Sequence, residues 1–73
     1  MIPTTLTDKA GDLAREHNRL ARELYAEASL ALGDGNLHVR DCLAEQADLH
    51  EVTAATIYDL VHEIALTAHR VYR

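Results

Sequence analysis

From Leu37 to Arg73 the chain contains neither a glycine nor a proline. Proline removes a helical hydrogen bond and clashes with the turn before it, and glycine costs backbone entropy. A stretch this long without either is free to form one uninterrupted helix. Val39, Leu43, Ala47, His50, Ala54, Ile57, Leu60, Val61, Ile64, Ala68 and Val71 follow the spacing of a helix face. The predicted helix covers 37–72. Thr53 or Thr56 can cap a third helix, so a three-helix bundle broken near 52–53 is the alternative.

The first half reads the same way. Leu6, Ala10, Leu13, His17, Leu20, Leu24, Ala28 and Ala31 recur three and four residues apart, the stripe of an amphipathic helix. The predicted helix covers 7–32, with Thr5, Thr7 and Asp8 as candidate N-caps and Gly33 as the C-terminal cap. Residues 33–36 form the turn, and Asn36 can cap the next helix. So short a link makes the helices antiparallel neighbours. The expected fold class is all-α, one helical domain over 1–73 built as a hairpin of two long helices.

Such a hairpin has trouble burying enough surface. At 73 residues the chain sits near the limit of independent folding. Its single cysteine, Cys42, rules out an internal disulfide, and with no Phe or Trp the core must be made of Ala, Leu, Val and Ile. The second predicted helix is longer than the first and overhangs it from Ile64 onward, exposing Ile64, Leu66, Val71 and Tyr72. Cys42, Leu49, Val52 and Thr56 fall outside the arc centred on Leu43 and Ile57, and one partner helix cannot cover both arcs. These eight residues are the expected dimer or partner surface. Two hairpins are expected to form a four-helix bundle with two-fold symmetry.

Charge narrows the partners. Twelve acidic residues against seven basic ones give a net charge of −5, which argues against nucleic acid and against an anionic membrane surface. No apolar run is long enough to span a bilayer, and the N-terminus lacks the charged and apolar regions of a secretory signal. A cytoplasmic protein is expected, with a homodimer and a further protein partner as its contacts.

Four constellations could carry chemistry. His17 and His50 each sit in the middle of an apolar stripe, and antiparallel pairing puts them in one layer. Core histidines can bind a transition metal; they can equally form a hydrogen-bonded pair, with Gln46 or Thr53 as neighbours. His38, Cys42 and Glu45 share one helical face and include plausible zinc ligands. Arg15, Arg19 and Arg22 form a basic stripe and Asp41, Glu45 and Asp48 an acidic one, which would suit salt bridges across the hairpin or the dimer. The fourth is the segment Glu45-Gln46-Ala47-Asp48-Leu49. It resembles the Glu-x-x-Asp element of the all-α nucleotide pyrophosphohydrolases of the MazG-like group.

In that family a Glu-Glu-x-x-Glu element on the preceding antiparallel helix completes a magnesium site on the pyrophosphate. Here the preceding helix offers Arg22-Glu23-Leu24-Tyr25-Ala26-Glu27, with Arg22 in place of the first glutamate and Glu27 one place late. The resemblance implies Glu23, Glu27, Glu45 and Asp48 as a magnesium-holding set. The Glu-x-x-His motif of ferritin-like di-iron bundles is absent, Ser29 is the sole serine, and Gly33-Asp34-Gly35 is too short and acidic for a phosphate loop. The expected function is therefore non-catalytic: a small interaction or regulatory protein acting through the surface of a dimeric bundle, with no cofactor. The alternatives are a metal- or ligand-binding bundle holding a transition metal, and a magnesium-dependent pyrophosphohydrolase.

Overall fold

The chain reverses direction over Asp34, Gly35 and Asn36. The computed structural model describes residues 4–71: α1 over Thr4–Gly33 and α2 over Leu37–Val71. Gly35, at φ 77°, is the residue that turns the chain. The Gly35 amide donates to the Leu32 carbonyl and the Asn36 amide to the Ala31 carbonyl, the paired bonds of a Schellman cap around a left-handed residue. Gly33, expected as the cap, is instead the last residue of α1, because the chain needs its positive φ two positions later. Asn36 does cap α2: its Oδ1 accepts from the Val39 amide at 3.3 Å, and its carbonyl takes the first helical bond, from Arg40.

α1 begins at Thr4, so Thr5, Thr7 and Asp8 lie inside the helix rather than capping it. α2 runs unbroken through the expected break point. Thr53 and Thr56 do not cap anything there. Their hydroxyls donate to the carbonyls of Leu49 and Val52, four residues back, at 2.8 and 2.9 Å, which satisfies them within a continuous helix.

What joins the two helices is a seam of alanines. Ala14, Ala21 and Ala28 on α1 and Ala47 and Ala54 on α2 are buried, with Ala31 at the turn end. They recur every seven residues, the repeat that keeps two gently supercoiled helices facing each other. Among the described residues, no side chain larger than alanine is fully buried. The expected α2 stripe contains the buried Ala47 and Ala54 and the α1 stripe the buried Ala28 and Ala31, but the middle of the α1 stripe is corrected. Ala14 and Ala21 take the centre that Leu13 and Leu20 were expected to hold, and Leu13 is 52% exposed. Methyl-sized side chains let the helix axes approach closely, and a leucine does not fit between backbones held that near.

The larger aliphatics are displaced from the seam: Leu13, Leu20, Leu24, Val39, Leu43, Ile57, Leu60 and Ile64 to one side of it, Leu30, Leu49, Val52 and Leu66 to the backs of the helices, and Leu32 and Leu37 to the other side near the turn. In an antiparallel pair, residues one place before each seam alanine project to one side of the hairpin and those one place after to the other. Leu13, Leu20, Glu27, Gln46 and Thr53 precede the seam alanines, and Leu60 continues the same register before the half-buried Val61; Arg15, Arg22, Ser29, Asp48 and Ala55 follow the alanines. The first side, here the leucine side, also carries the half-buried Leu24, Leu43 and Ile57 at the seam's edge, and Leu60 there is 58% exposed. The second side is charged.

The molecule is accordingly long and flat, with Cα extents of 57 × 16 × 10 Å and a radius of gyration of 16.8 Å, against about 11 Å for a compact domain of this length. If close approach along the seam sets this shape, Ala47→Leu should destabilise the hairpin by roughly 1–3 kcal/mol, while the exposed Ala55→Leu should leave it within about 0.5 kcal/mol. Urea unfolding followed by circular dichroism would measure both, and equal midpoints would contradict a close-packed seam.

Candidate functional site

The feature of the seam that is not alanine is a pair of histidines. His17 lies between Ala14 and Ala21, and His50 between Ala47 and Ala54, each at the edge nearest the leucine side. Both are half-buried. Their Nδ1 atoms are 2.8 Å apart, their ring centroids 5.1 Å, and the planes are tilted by 32°. A bond between two like nitrogens requires opposite roles: one ring donates Nδ1–H, the other accepts on an unprotonated Nδ1. Between two neutral imidazoles these roles correspond to opposite tautomers, one Nε2 then an acceptor and the other a donor. Neither Gln46 nor Thr53 supplies the partner; Gln46 is exposed and Thr53 is bonded to its own helix.

The other candidate sets fare differently. His38 and Cys42 come together, Nε2 to Sγ at 3.9 Å, but both are exposed in the first turns of α2. Glu23, Glu27, Glu45 and Asp48 do not assemble. Glu23 accepts from Arg19 at 2.5 Å, and Asp48 accepts from the Tyr25 hydroxyl on the opposite side of the hairpin. Among the described residues of one chain, no group of three or more His, Cys, Asp or Glu is placed to hold a metal.

Within one hairpin, Arg15 and Arg19 do not make the expected bridges to the acidic stripe. Arg15 pairs with Asp12, Arg19 with Glu16 and Glu23, and Arg40 with Asp41, all within their own helix and exposed. A neighbour one turn away on the same helix costs less side-chain ordering than one across the seam. The Arg19 hydrogen bond to Glu16, aided by its charge, lowers the Glu16 carboxyl below its usual range and raises Arg19 in return.

Sequence reasoning missed one contact that does cross the hairpin, the hydrogen bond from Tyr25 to Asp48. That bond, then desolvation, then the nearby charges of Asp48 and Glu51, push the Tyr25 phenol up to about 12. An open apolar groove near the turn lies on the same side, lined by Tyr25, Ala28, Ser29, Leu32, Arg40 and Ala44. The surface residues expected to meet a partner are placed as follows. Cys42, Leu49, Val52 and Thr56 are exposed on the back of α2, Leu49 and Val52 by 62% and 63%. Ile64 and Leu66 are exposed near its end. Tyr72 and the side chain of Val71 lie outside the described residues.

Among the described residues, no helix is long and apolar enough to cross a membrane. Comparison with protein-family models, with curated proteins and with solved structures finds no match for this chain.

The Tyr25 bond gives a pH prediction with a definite sign. A raised folded-state value means the contribution is present below pH 10, the ordinary tyrosine value, and is lost as pH rises towards 12. In a background with Tyr58 and Tyr72 changed to Phe, absorbance titration should show the remaining phenol ionising near 12, and Asp48→Asn should bring it back towards 10. A phenol that titrates alike in both proteins would mean the bond is not made in solution.

Proposed function

We propose that this chain is a small non-catalytic interaction protein that acts as a symmetric dimer. Two hairpins meet through their leucine sides and form a four-helix bundle. The observation that carries this is a second heptad set beside the alanine seam. Ala10, Leu13, His17, Leu20, Leu24, Glu27 and Ala31 on α1 alternate at spacings of three and four, as do Val39, Leu43, Gln46, His50, Thr53, Ile57, Leu60 and Ile64 on α2. Of these, Glu27 alone carries a formal charge. Such a pattern is what a helix presents to a helical partner; apart from the buried Ala31, the hairpin's own seam leaves its members half-covered or exposed.

Surface area supports the same reading. The chain exposes 5533 Å², and a compact monomer of 8.1 kDa would expose about 4500 Å². The excess, about 1000 Å², matches what one partner contributes to a stable interface of standard size, about 800 Å². A second copy offers the same uncharged surface by symmetry. Cys42, Leu49 and Thr56, on the back of α2, border this interface. The charged sides, with Arg15, Arg22, Asp41 and Asp48, remain outermost, where a cytoplasmic protein partner would meet them.

Size-exclusion chromatography with light scattering is the test, and the expected mass is twice that of one chain. Leu60→Glu would bury an unpaired carboxylate and should weaken pairing by about 3 kcal/mol, roughly a hundredfold in Kd. Arg22→Glu, on the opposite side, should leave the dimer unchanged. A monodisperse monomer of the unaltered chain at micromolar concentration would overturn the proposal.

A further inference from the structure

We propose that the dimer holds one divalent transition-metal ion of the zinc type at its centre, ligated by His17 and His50 of both copies. This rests on the dimer proposed above and adds a site that neither copy contains alone.

Position is the first support. α1 spans Thr4–Gly33, and its middle falls at Asn18–Arg19. The histidine layer lies within one helical turn of it. His17 and His50 belong both to the edge of the alanine seam and to the uncharged heptad set, so their rings sit on the side that meets the second copy. A two-fold axis through the middle of that side brings the two imidazole pairs of the dimer together.

Chemistry is the second. Four neutral imidazoles make a nitrogen donor set suited to zinc, copper, nickel or cobalt rather than to magnesium or calcium. A closed four-coordinate zinc site has nitrogen ligands at about 2.0–2.1 Å, which places neighbouring ligand atoms about 3.3 Å apart. The observed 2.8 Å between the two Nδ1 atoms is about 0.5 Å short of that, so binding requires both rings to turn their Nδ1 lone pairs towards the ion and the ring that donates Nδ1–H to carry its proton on Nε2 instead. Half-burial of the pair in one hairpin becomes full burial in the dimer, and the surrounding Leu20, Leu24, Leu43 and Ile57 would exclude water from the ion.

The experiment uses the full chain without a histidine tag, stripped with chelator and titrated with cobalt(II), which reports tetrahedral nitrogen coordination by its visible absorption. Light scattering is recorded with and without the metal. The expected result is a dimer that takes up one cobalt per two chains and loses that uptake in both His17→Leu and His50→Leu. His17 and His50 are half-buried at the seam's edge, where Leu24, Leu43 and Ile57 already sit, rather than at its alanine centre, so both variants should keep their helical circular dichroism and still dimerise. A dimer that binds no cobalt, or binds it equally in both variants, overturns the metal site and leaves the dimer standing. A chain that remains monomeric with cobalt present overturns both.

Discussion

Close approach of the two helix backbones is the constraint from which the rest of this molecule follows. Ala14, Ala21 and Ala28 face Ala47 and Ala54, and a contact made of methyl groups is narrow. It holds the helices near each other but cannot also cover the leucines that flank it. A seam of leucines would have spaced the helices further apart and buried its own side chains between them. Here the small residues occupy the middle and the large ones are forced out to the rim. The hairpin thus gains a close-packed centre and keeps a lateral apolar side that it cannot cover.

The same narrowness makes the histidine pair possible. Two imidazoles on facing helices reach a 2.8 Å contact because the alanines above and below them bring the backbones close. Each ring is held from its own helix and its Nδ1 is partnered by the other, which lowers the cost of placing the pair at the edge of the seam. On the opposite side the Tyr25–Asp48 bond spans the two helices in the same way. The ion pairs contribute little to holding the hairpin together, since each is exposed and closes within a single helix. Orientation is set by the turn, where Gly35 and Asn36 end one helix and begin the next.

A two-faced hairpin of this kind has an unfavourable ratio of surface to core. A buried Leu or Ile side chain contributes about 1.5–3 kcal/mol, and no such residue is fully buried among the described residues of one chain. The apolar content needed for stability is present in the sequence but sits on the leucine side. The free energy it can supply is therefore tied to how far that side is covered.

The sequence by itself determined the helices and their antiparallel pairing. Absence of Gly and Pro after Leu37, spacing of three and four, and a short Gly-Asp-Gly-Asn link are local signals, and local signals suffice for local structure. It also placed His17 and His50 in one layer, because register in a hairpin follows from counting outward from the turn. It placed the buried Ala47 and Ala54 in the α2 stripe but misassigned the centre of the α1 stripe, since Leu13 and Leu20 outrank Ala14 and Ala21 in hydrophobicity while the seam selects for size. It put the cap at Gly33 because composition does not reveal which glycine carries the positive φ. It suggested cross-hairpin ion pairs, although Asp12, Glu16 and Glu23 lay within one turn of the arginines. Tertiary structure alone decided these points. Which residues face a partner helix depends on how closely two backbones approach, and that distance is a property of the pair, not of either helix.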